Sequence, residues 1–227
     1  TQDVKTQSLI KNAETIGCFY IESPGMRSLL KKLNVDDFDS LAAASSIIRP
    51  GVSNSGMTRT FIQRHNGKEK VTYLHPKLEK ILRETYGVMI YQEDVIKVAH
   101  AIAGMSLGEA EGLRKCMSKK RNWEAIEQYK ARFFSGAATK GISQQNIQEI
   151  WRQIESFAGY AFCKAHSASF ALVSYRAAYL KAHFPAEFMA AVLSNKGGFY
   201  DTAEYIEEAK RMGLHVLLPH VNESHYE

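Results

Sequence analysis

The sequence predicts a mainly α-helical protein with at most a short strand or two and no sizeable sheet. Three observations support this fold class. Apolar residues recur at helical spacing along most of the chain, helix-capping residues separate the segments, and only residues 214–218 (LHVLL) have the pattern of a strand. We expect about nine helices.

The first half of the chain has clear helix boundaries. Ser23 and Pro24 place a cap and a proline in the first turn of a helix. A second helix is predicted over 36–48, because Pro50 restricts the residue before it to extended geometry. Residues 51–60 are predicted to be a loop, since Gly, Ser and Asn dominate and no period holds.

The middle of the chain continues this pattern. The His–Pro pair at 75–76 starts a helix, and helical spacing over 88–103 ends at Gly104. Ser106 and Glu109 then have the spacing of a capping box for the next helix.

Four further elements follow. Residues 122–138 are amphipathic, with Trp123 predicted to face inward, and Ser143 caps a helix with a regular apolar stripe. The helix over 168–183 is nearly all apolar or small, so we expect it to be buried on most sides. Asp201 and Glu204 have the spacing of another capping box.

Composition places the chain among ordinary globular proteins. It has 227 residues, of which 45% are hydrophobic and 23% charged, and a formal net charge of +5. Residues 114–140 alone carry eight basic and two acidic side chains. We therefore predict one basic patch, which suits an anionic partner. No membrane-spanning run is present in the sequence.

Three cysteines, Cys18, Cys116 and Cys163, lie far apart without zinc-site spacing. This sparse, odd set is typical of reduced intracellular thiols rather than of a disulfide framework. The first residues lack the pattern of a secretory signal, and the chain opens on Thr1. We interpret it as a piece of a longer protein.

Two segments could bind an anion. The first is a basic run with Arg and Lys donors suited to phosphate: Arg114, Lys115, Lys119, Lys120 and Arg121. Its alternative role is to offset a helix macrodipole. The second places Lys164, His166 and Ser167 just before a helix, where free N–H groups favour phosphate. Its alternative is that Ser167 only caps that helix.

Catalytic motifs are not found. His166 and Ser167 are adjacent on one backbone, so they do not face each other as a nucleophile and base would. The D-x-D at 37–39 lies at a predicted helix start, where we interpret it as solvated rather than as a metal site. No metal ligands are predicted in this chain.

Six blocks of the sequence resemble, in order and spacing, the fingers region of the bacterial DNA polymerase III alpha subunit, the C-family replicative polymerase. The resemblance covers essentially the whole chain. The blocks are residues 17–25 (GCFYIESPG), 48–51 (IRPG), 85–95 (TYGVMIYQEDV), 103–120 (AGMSLGEAEGLRKCMSKK), 157–175 (FAGYAFCKAHSASFALVSY) and 179–189 (YLKAHFPAEFM).

The resemblance implies a DNA-directed DNA polymerase, a nucleotidyltransferase of DNA replication in the bacterial cytoplasm. The fingers would bind the incoming dNTP and the template-primer, while a palm carries the catalytic aspartates with two Mg²⁺ ions and a thumb holds the duplex. The expected partners are the palm and thumb domains and other replisome subunits. No membrane is expected as a partner. The chain would lack the metal ligands and be inactive alone.

The resemblance also implies domain limits. Residues 1–22 would connect to the palm, 23–200 would form the helical fingers domain, and 201–227 would be a C-terminal helix and short strand.

Site residues follow from the matched motifs. The resemblance makes Arg114 the first candidate for the triphosphate, with Lys115, Lys119 and Lys120 beside it, and places Lys164, His166 and Ser167 next to the nucleotide. Arg49, Gln92, Glu93 and Arg121 would make template or fingers–palm contacts. Tyr160, Phe162 and Phe170 are candidates for stacking on the nucleotide.

The chain departs from the family pattern at four positions within the matched blocks. Lys115 is present where the family pattern has a second arginine, and Ser118 where it has a glycine. Cys163 replaces an asparagine and Tyr20 a glutamine. These departures would suit an accessory or error-prone paralogue as well as a replicative enzyme. Two other functions stay open: a helical module that binds the DNA backbone without catalysis, and a helical scaffold.

Overall fold

The computed structural model of the chain describes residues 2–48, 56–119, 123–156, 163–222 and 224, with the side chains of 118 and 119 outside that description. In these residues the chain forms helices and no strand, which confirms the predicted fold class. The twelve α-helices are α1 (Val4–Lys11), α2 (Pro24–Leu33), α3 (Phe38–Ile47), α4 (Met57–His65), α5 (Pro76–Leu82), α6 (Gln92–Ala103), α7 (Leu107–Lys119), α8 (Trp123–Thr139), α9 (Gln144–Glu155), α10 (Lys164–His183), α11 (Pro185–Asn195) and α12 (Thr202–Arg211).

A 3₁₀ turn, Arg83–Thr85, follows α5. None of the described helices combines the length and the apolar character that crossing a lipid bilayer requires.

Several helix starts form as the sequence predicts. The Ser23 hydroxyl accepts a hydrogen bond from the Met26 N–H at 3.3 Å, and Pro24 opens α2. In the capping box, the Ser106 N–H donates to Glu109 Oε2 at 2.6 Å, and the Glu109 N–H donates to Ser106 Oγ at 3.2 Å. These contacts involve residues three apart, so local sequence is enough to predict them.

Two predicted boundaries are wrong. Helix α4 begins at Met57, inside the stretch predicted as loop, while residues 51–55 lie outside the described part. Helix α6 begins at Gln92 rather than near residue 88. The reason is the Asp94 carboxylate, which accepts the N–H groups of Ile90 and Tyr91 and so ends the extended segment before the helix.

Two predictions about helix faces are also wrong. Trp123 is 73% exposed, because it lies in the first turn of α8, and the first buried side chain of that helix is Ile126. Helix α10 leaves Leu172, Val173 and Leu180 exposed, so it is not buried on most sides. Composition alone does not show which apolar face has a neighbour.

The chain's last segment differs from its prediction. Asp201 directly precedes α12, but its side chain makes no capping hydrogen bond, so the predicted capping box does not form. Residues 214–218 form neither a helix nor a strand with any described residue, and the predicted strand is therefore wrong. A strand needs a neighbour for its backbone hydrogen bonds, and Leu217 and Leu218 instead face solvent.

The chain divides into two compact units. The first combines Thr1–Leu41 with Ser169–Glu227, and the second is Ala42–Ala168. The boundaries fall inside α3 and α10. The domain limits inferred from the resemblance, at residues 22 and 200, stay a prediction.

A buried cation anchors the first unit. Lys181 Nζ donates to the carbonyl oxygens of Glu14 and Ile16 and pairs with the Glu208 carboxylate, which also accepts from Arg211. Burial raises the pKa of Glu208, but the hydrogen bonds from Arg211 and Lys181 outweigh it, and the net pKa is lowered. This charge is therefore both buried and paired, as a stable interior requires.

Helix α6 is the centre of the second unit. It packs against α5, α7 and α8, and α8 packs in turn against α9. Its buried face is formed by Val95, Val98, Ala99 and Ile102. Gly136 lets α8 approach the end of α6 so closely that a Cβ there would overlap the carbonyl oxygen of Ala103.

We predict that Gly136→Ala lowers the free energy of unfolding by about 3 kcal/mol, because a backbone carbonyl cannot move away from the added methyl group. Gly112→Ala is the matched control. Its Cβ would meet only the hydroxyl end of the Tyr129 side chain, and alanine favours a helix, so the change should stay within about 1 kcal/mol. Denaturant unfolding measures both; equal losses for the two variants would contradict this packing.

Candidate functional site

Arg114 lies on α7 and contacts both Glu111 and Gln92 through its guanidinium. Its Nε and Nη2 each donate to the Glu111 carboxylate at 2.8 Å, and its Nη1 donates to Gln92 Oε1 at 2.8 Å. The hydrogen bond from Arg114 lowers the pKa of Glu111 to about 2. The guanidinium is therefore held in a defined orientation, with only 22% of the side chain exposed.

Lys115 shares the same acidic partner. Its Nζ lies 3.5 Å from Glu111 Oε1, and its side chain is 63% exposed. One carboxylate thus faces two adjacent cations of α7.

The start of α10 is held by a carboxylate of α6. The Lys164 N–H donates to both carboxylate oxygens of Glu93, at 3.2 and 3.0 Å. Lys164 Nζ pairs with Glu84 Oε2 at 2.6 Å and lies 5.9 Å from the centre of the Tyr91 ring. A carboxylate at a helix N-terminus satisfies a free N–H group and favours the helix dipole.

Cys163 also contributes to this helix start. Its Sγ accepts a hydrogen bond from the His166 N–H at 3.4 Å, and its carbonyl accepts from the Ser167 N–H at 3.1 Å. A sulfur atom is a weak acceptor compared with the oxygen of asparagine, which the family pattern has here. Glu93 satisfies a different N–H of the same turn, that of Lys164.

The first turn of α6 brings the two predicted anion-binding segments together. The Gln92 side chain contacts Arg114, and its neighbour Glu93 contacts the Lys164 backbone N–H, so residues 50 positions apart in the sequence contact one helix start. All of these residues belong to the second unit. The pairing of the two segments, which the sequence treats separately, is a finding of the structure.

Asp94 fixes the position of this helix start. Its carboxylate accepts from the N–H groups of Ile90 at 3.0 Å and Tyr91 at 2.9 Å. Burial raises the pKa of Asp94 to about 6, although the two backbone hydrogen bonds act in the opposite direction. Gln92 and Glu93 are therefore anchored by a buried cap directly beside them.

Ser167 and His166 occupy different environments. Ser167 is buried, and its Oγ lies 2.6 Å from Ser46 Oγ. His166 is half-buried in the first turn of α10. The structure thus turns the Ser167 hydroxyl toward a protein partner, and a nucleotide role for these two residues stays a prediction.

Other predicted residues lie elsewhere or outside the described part. Phe170 packs in the first unit against Phe19 and Tyr20, with ring centres 5.3 and 4.9 Å apart. The remaining predictions fall on residues that the structure does not describe: Arg49, Lys120, Arg121, Tyr160, Phe162 and the side chain of Lys119.

For the described cations of 114–140, the prediction of one basic patch is wrong. Arg132 donates to Glu109 and to the carbonyl oxygens of Ala103 and Gly104, and Lys140 donates to the Ala101 carbonyl. These two cations cap the C-terminal end of α6. A helix of twelve residues separates its ends by about 17 Å, so Arg132 and Lys140 do not add to the field at Arg114.

Two acidic members of the site, unlike Glu93, were not identified from the sequence. Glu111 and Glu84 were absent from the predicted residues, although Glu111 precedes Arg114 by three positions on a helix, a spacing typical of ion pairs. That spacing could have identified Glu111. The pair formed by Glu84 and Lys164 spans 80 positions and has no local signal.

A magnesium site does not fit these carboxylates. Mg²⁺ takes oxygen ligands in octahedral geometry, whereas Glu93 and Glu111 are each engaged by N–H donors. Across the described ranges, no three His, Cys, Asp or Glu side chains are arranged to hold a metal ion.

The fold and the site together define a class: an α-helical module in which an arginine, two lysines and the start of a helix lie around the first turn of α6. The sequence profile described as the bacterial DNA polymerase III alpha subunit finger domain matches residues 1–141. The chain belongs to this family.

Known relatives agree with the family. The chain is 42% identical to the DNA polymerase III subunit alpha of Aquifex aeolicus over 98% of its own length and 19% of the relative's. It is also 42% identical to the corresponding subunit of Staphylococcus aureus strain Mu50, over 99% of its length and 21% of the relative's. An error-prone DNA polymerase of Symbiobacterium thermophilum is equally similar, at 42% over 98% and 21%. The chain spans about a fifth of the curated relatives it matches.

We predict that Asp94→Ala lowers the free energy of unfolding by about 2 kcal/mol, because it leaves the buried N–H groups of Ile90 and Tyr91 without their acceptor. Asp94→Asn should cost less, since the amide oxygen still accepts. Because the folded pKa of Asp94 is raised, wild-type stability relative to Asp94→Asn should be greatest below about pH 4 and fall as pH rises through about 6. Unfolding at several pH values measures this, and a difference that grows with pH would contradict it.

Proposed function

We propose that this fingers region binds the triphosphate of the incoming dNTP and contributes to template-primer binding within a bacterial DNA-directed DNA polymerase. The observation that supports this most strongly is the meeting of Arg114, Lys115 and the start of α10 around the first turn of α6. Arginine matches phosphate oxygens with two parallel donors, and helix starts favour anions. The family assignment supports the same ligand.

The chemistry explains why cations are needed there. In nucleotidyl transfer, the primer 3′-hydroxyl attacks the α-phosphate while pyrophosphate leaves with increasing negative charge. Positioned cations stabilise that charge, and their orientation is fixed before the reaction begins. Arg114, held by Gln92, and the exposed Lys115 and Lys164 would neutralise the β- and γ-phosphates.

The rest of the enzyme would supply the other functions. We propose that the Mg²⁺ ligands lie outside this chain, in a palm domain, and that a thumb domain and other replisome subunits are further partners. The region alone would not polymerise DNA. Its setting would be the bacterial cytoplasm, where replication takes place.

Arg114→Ala in the full-length subunit tests this proposal. We expect the apparent KM for dNTP to rise, or the single-turnover rate to fall, by about tenfold or more, because one bidentate phosphate contact is lost. Arg152→Ala is the matched control. Arg152 makes the same paired contact with Glu149, three positions before it, at 2.8 and 2.7 Å, but lies outside the site.

Two outcomes would contradict the proposal. Unchanged kinetics for Arg114→Ala would exclude the triphosphate assignment, and equal losses in both variants would indicate a general stability effect. A third outcome would favour the module that binds the DNA backbone: unchanged KM for dNTP, with weaker DNA binding and a log–log salt slope reduced by roughly 0.9.

A further inference from the structure

We infer that Glu111 occupies the phosphate-binding edge of Arg114 while no nucleotide is bound, and that the triphosphate binds by displacing this carboxylate. Gln92 would hold the guanidinium in place during the exchange. The inference rests on the proposed function, because it concerns the same arginine, and it identifies Glu111 as a residue that sets nucleotide affinity.

The contact between Glu111 and Arg114 has a geometry that also suits a phosphate. The two oxygens of Glu111 accept from Nε and Nη2 of Arg114, both at 2.8 Å. This edge of a guanidinium offers two parallel N–H donors, which fit a carboxylate and a phosphate equally well. A phosphate that binds Arg114 in this way must take the position that the carboxylate holds.

Gln92 and Glu111 contact different nitrogen atoms of Arg114. Gln92 accepts from Nη1 at 2.8 Å, whereas Glu111 accepts from Nε and Nη2, so the contact with Gln92 can persist when the other edge changes partner. The amide is neutral and does not compete with an anion for charge. Gln92 is itself fixed in the first turn of α6 by the buried Asp94 cap, so the guanidinium keeps its direction when Glu111 leaves.

Glu111 can be displaced from Arg114 at low cost. Its side chain is 36% exposed, so the carboxylate can rotate into water without leaving a charge buried. Glu208 gives the contrast within this protein: its side chain is only 2% exposed and is held by Lys181 and Arg211. An exchange there would leave buried charges without partners, whereas at Glu111 it would not.

Because of Lys115, the replacement of Glu111 favours a ligand of high negative charge. Its Nζ faces the same Glu111 oxygen that Arg114 Nη2 contacts. Displacement of Glu111 therefore makes two cations available at once. A triphosphate replaces one negative charge with several, so it gains more from both cations than the carboxylate does.

The test is equilibrium binding of the complementary dNTP to the full-length subunit on a template-primer with a dideoxy-terminated primer. Glu111→Gln keeps the size of the side chain but removes its charge, so we expect dNTP to bind about fivefold more tightly, the order of one partly exposed ion pair. Glu149→Gln is the matched control, because Glu149 pairs with Arg152 in the same geometry outside the site. It should leave the Kd unchanged.

A second variant separates this inference from the proposed function. When Glu111→Gln is added to Arg114→Ala, it should tighten dNTP binding much less than it does alone, because the carboxylate no longer competes for that arginine. If Arg114→Ala alone weakens dNTP binding while Glu111→Gln leaves it unchanged or weakens it, the exchange is wrong and the proposed function stands. If Arg114→Ala has no effect on dNTP binding, the proposed function itself fails.

Discussion

The first turn of α6 is the constraint on which the site depends. Three consecutive residues there have separate roles: Gln92 binds Arg114, Glu93 caps α10, and Asp94 accepts the two N–H groups that precede the helix. Each of these contacts reaches a different part of the second unit. Because the three side chains share one helix start, a change in the Asp94 cap would displace both cationic segments together.

The charge of this region is organised by the same helix. Arg114, on α7, contacts the N-terminal end of α6. Arg132 and Lys140 donate to carbonyl groups at the C-terminal end of α6. The negative end of a helix dipole attracts such cations, so part of the basic excess has a structural role. Glu111 lies just outside the basic segment and binds two of its cations. Net charge over a sequence window therefore overstated the charge available to a ligand.

Sequence reasoning identified features that depend on residues three or four positions apart. The caps at Ser23, Ser106 and Ser143 formed as predicted, because local hydrogen bonds decide them. It could not identify the contact between Glu93 and Lys164, which spans 71 positions. Trp123 was misplaced for a related reason: helical spacing gives a face, but only the tertiary structure shows where its neighbour ends.

In the proposed function, α7 and the start of α10 bind one nucleotide together. Hydrogen–deuterium exchange in the full-length subunit on a template-primer tests it directly, by comparing peptides with and without the complementary dNTP. We predict slower exchange in both 111–119 and 163–169, and no change in α9, which lies outside the site. Protection confined to one of the two segments, or absent from both, would contradict the claim.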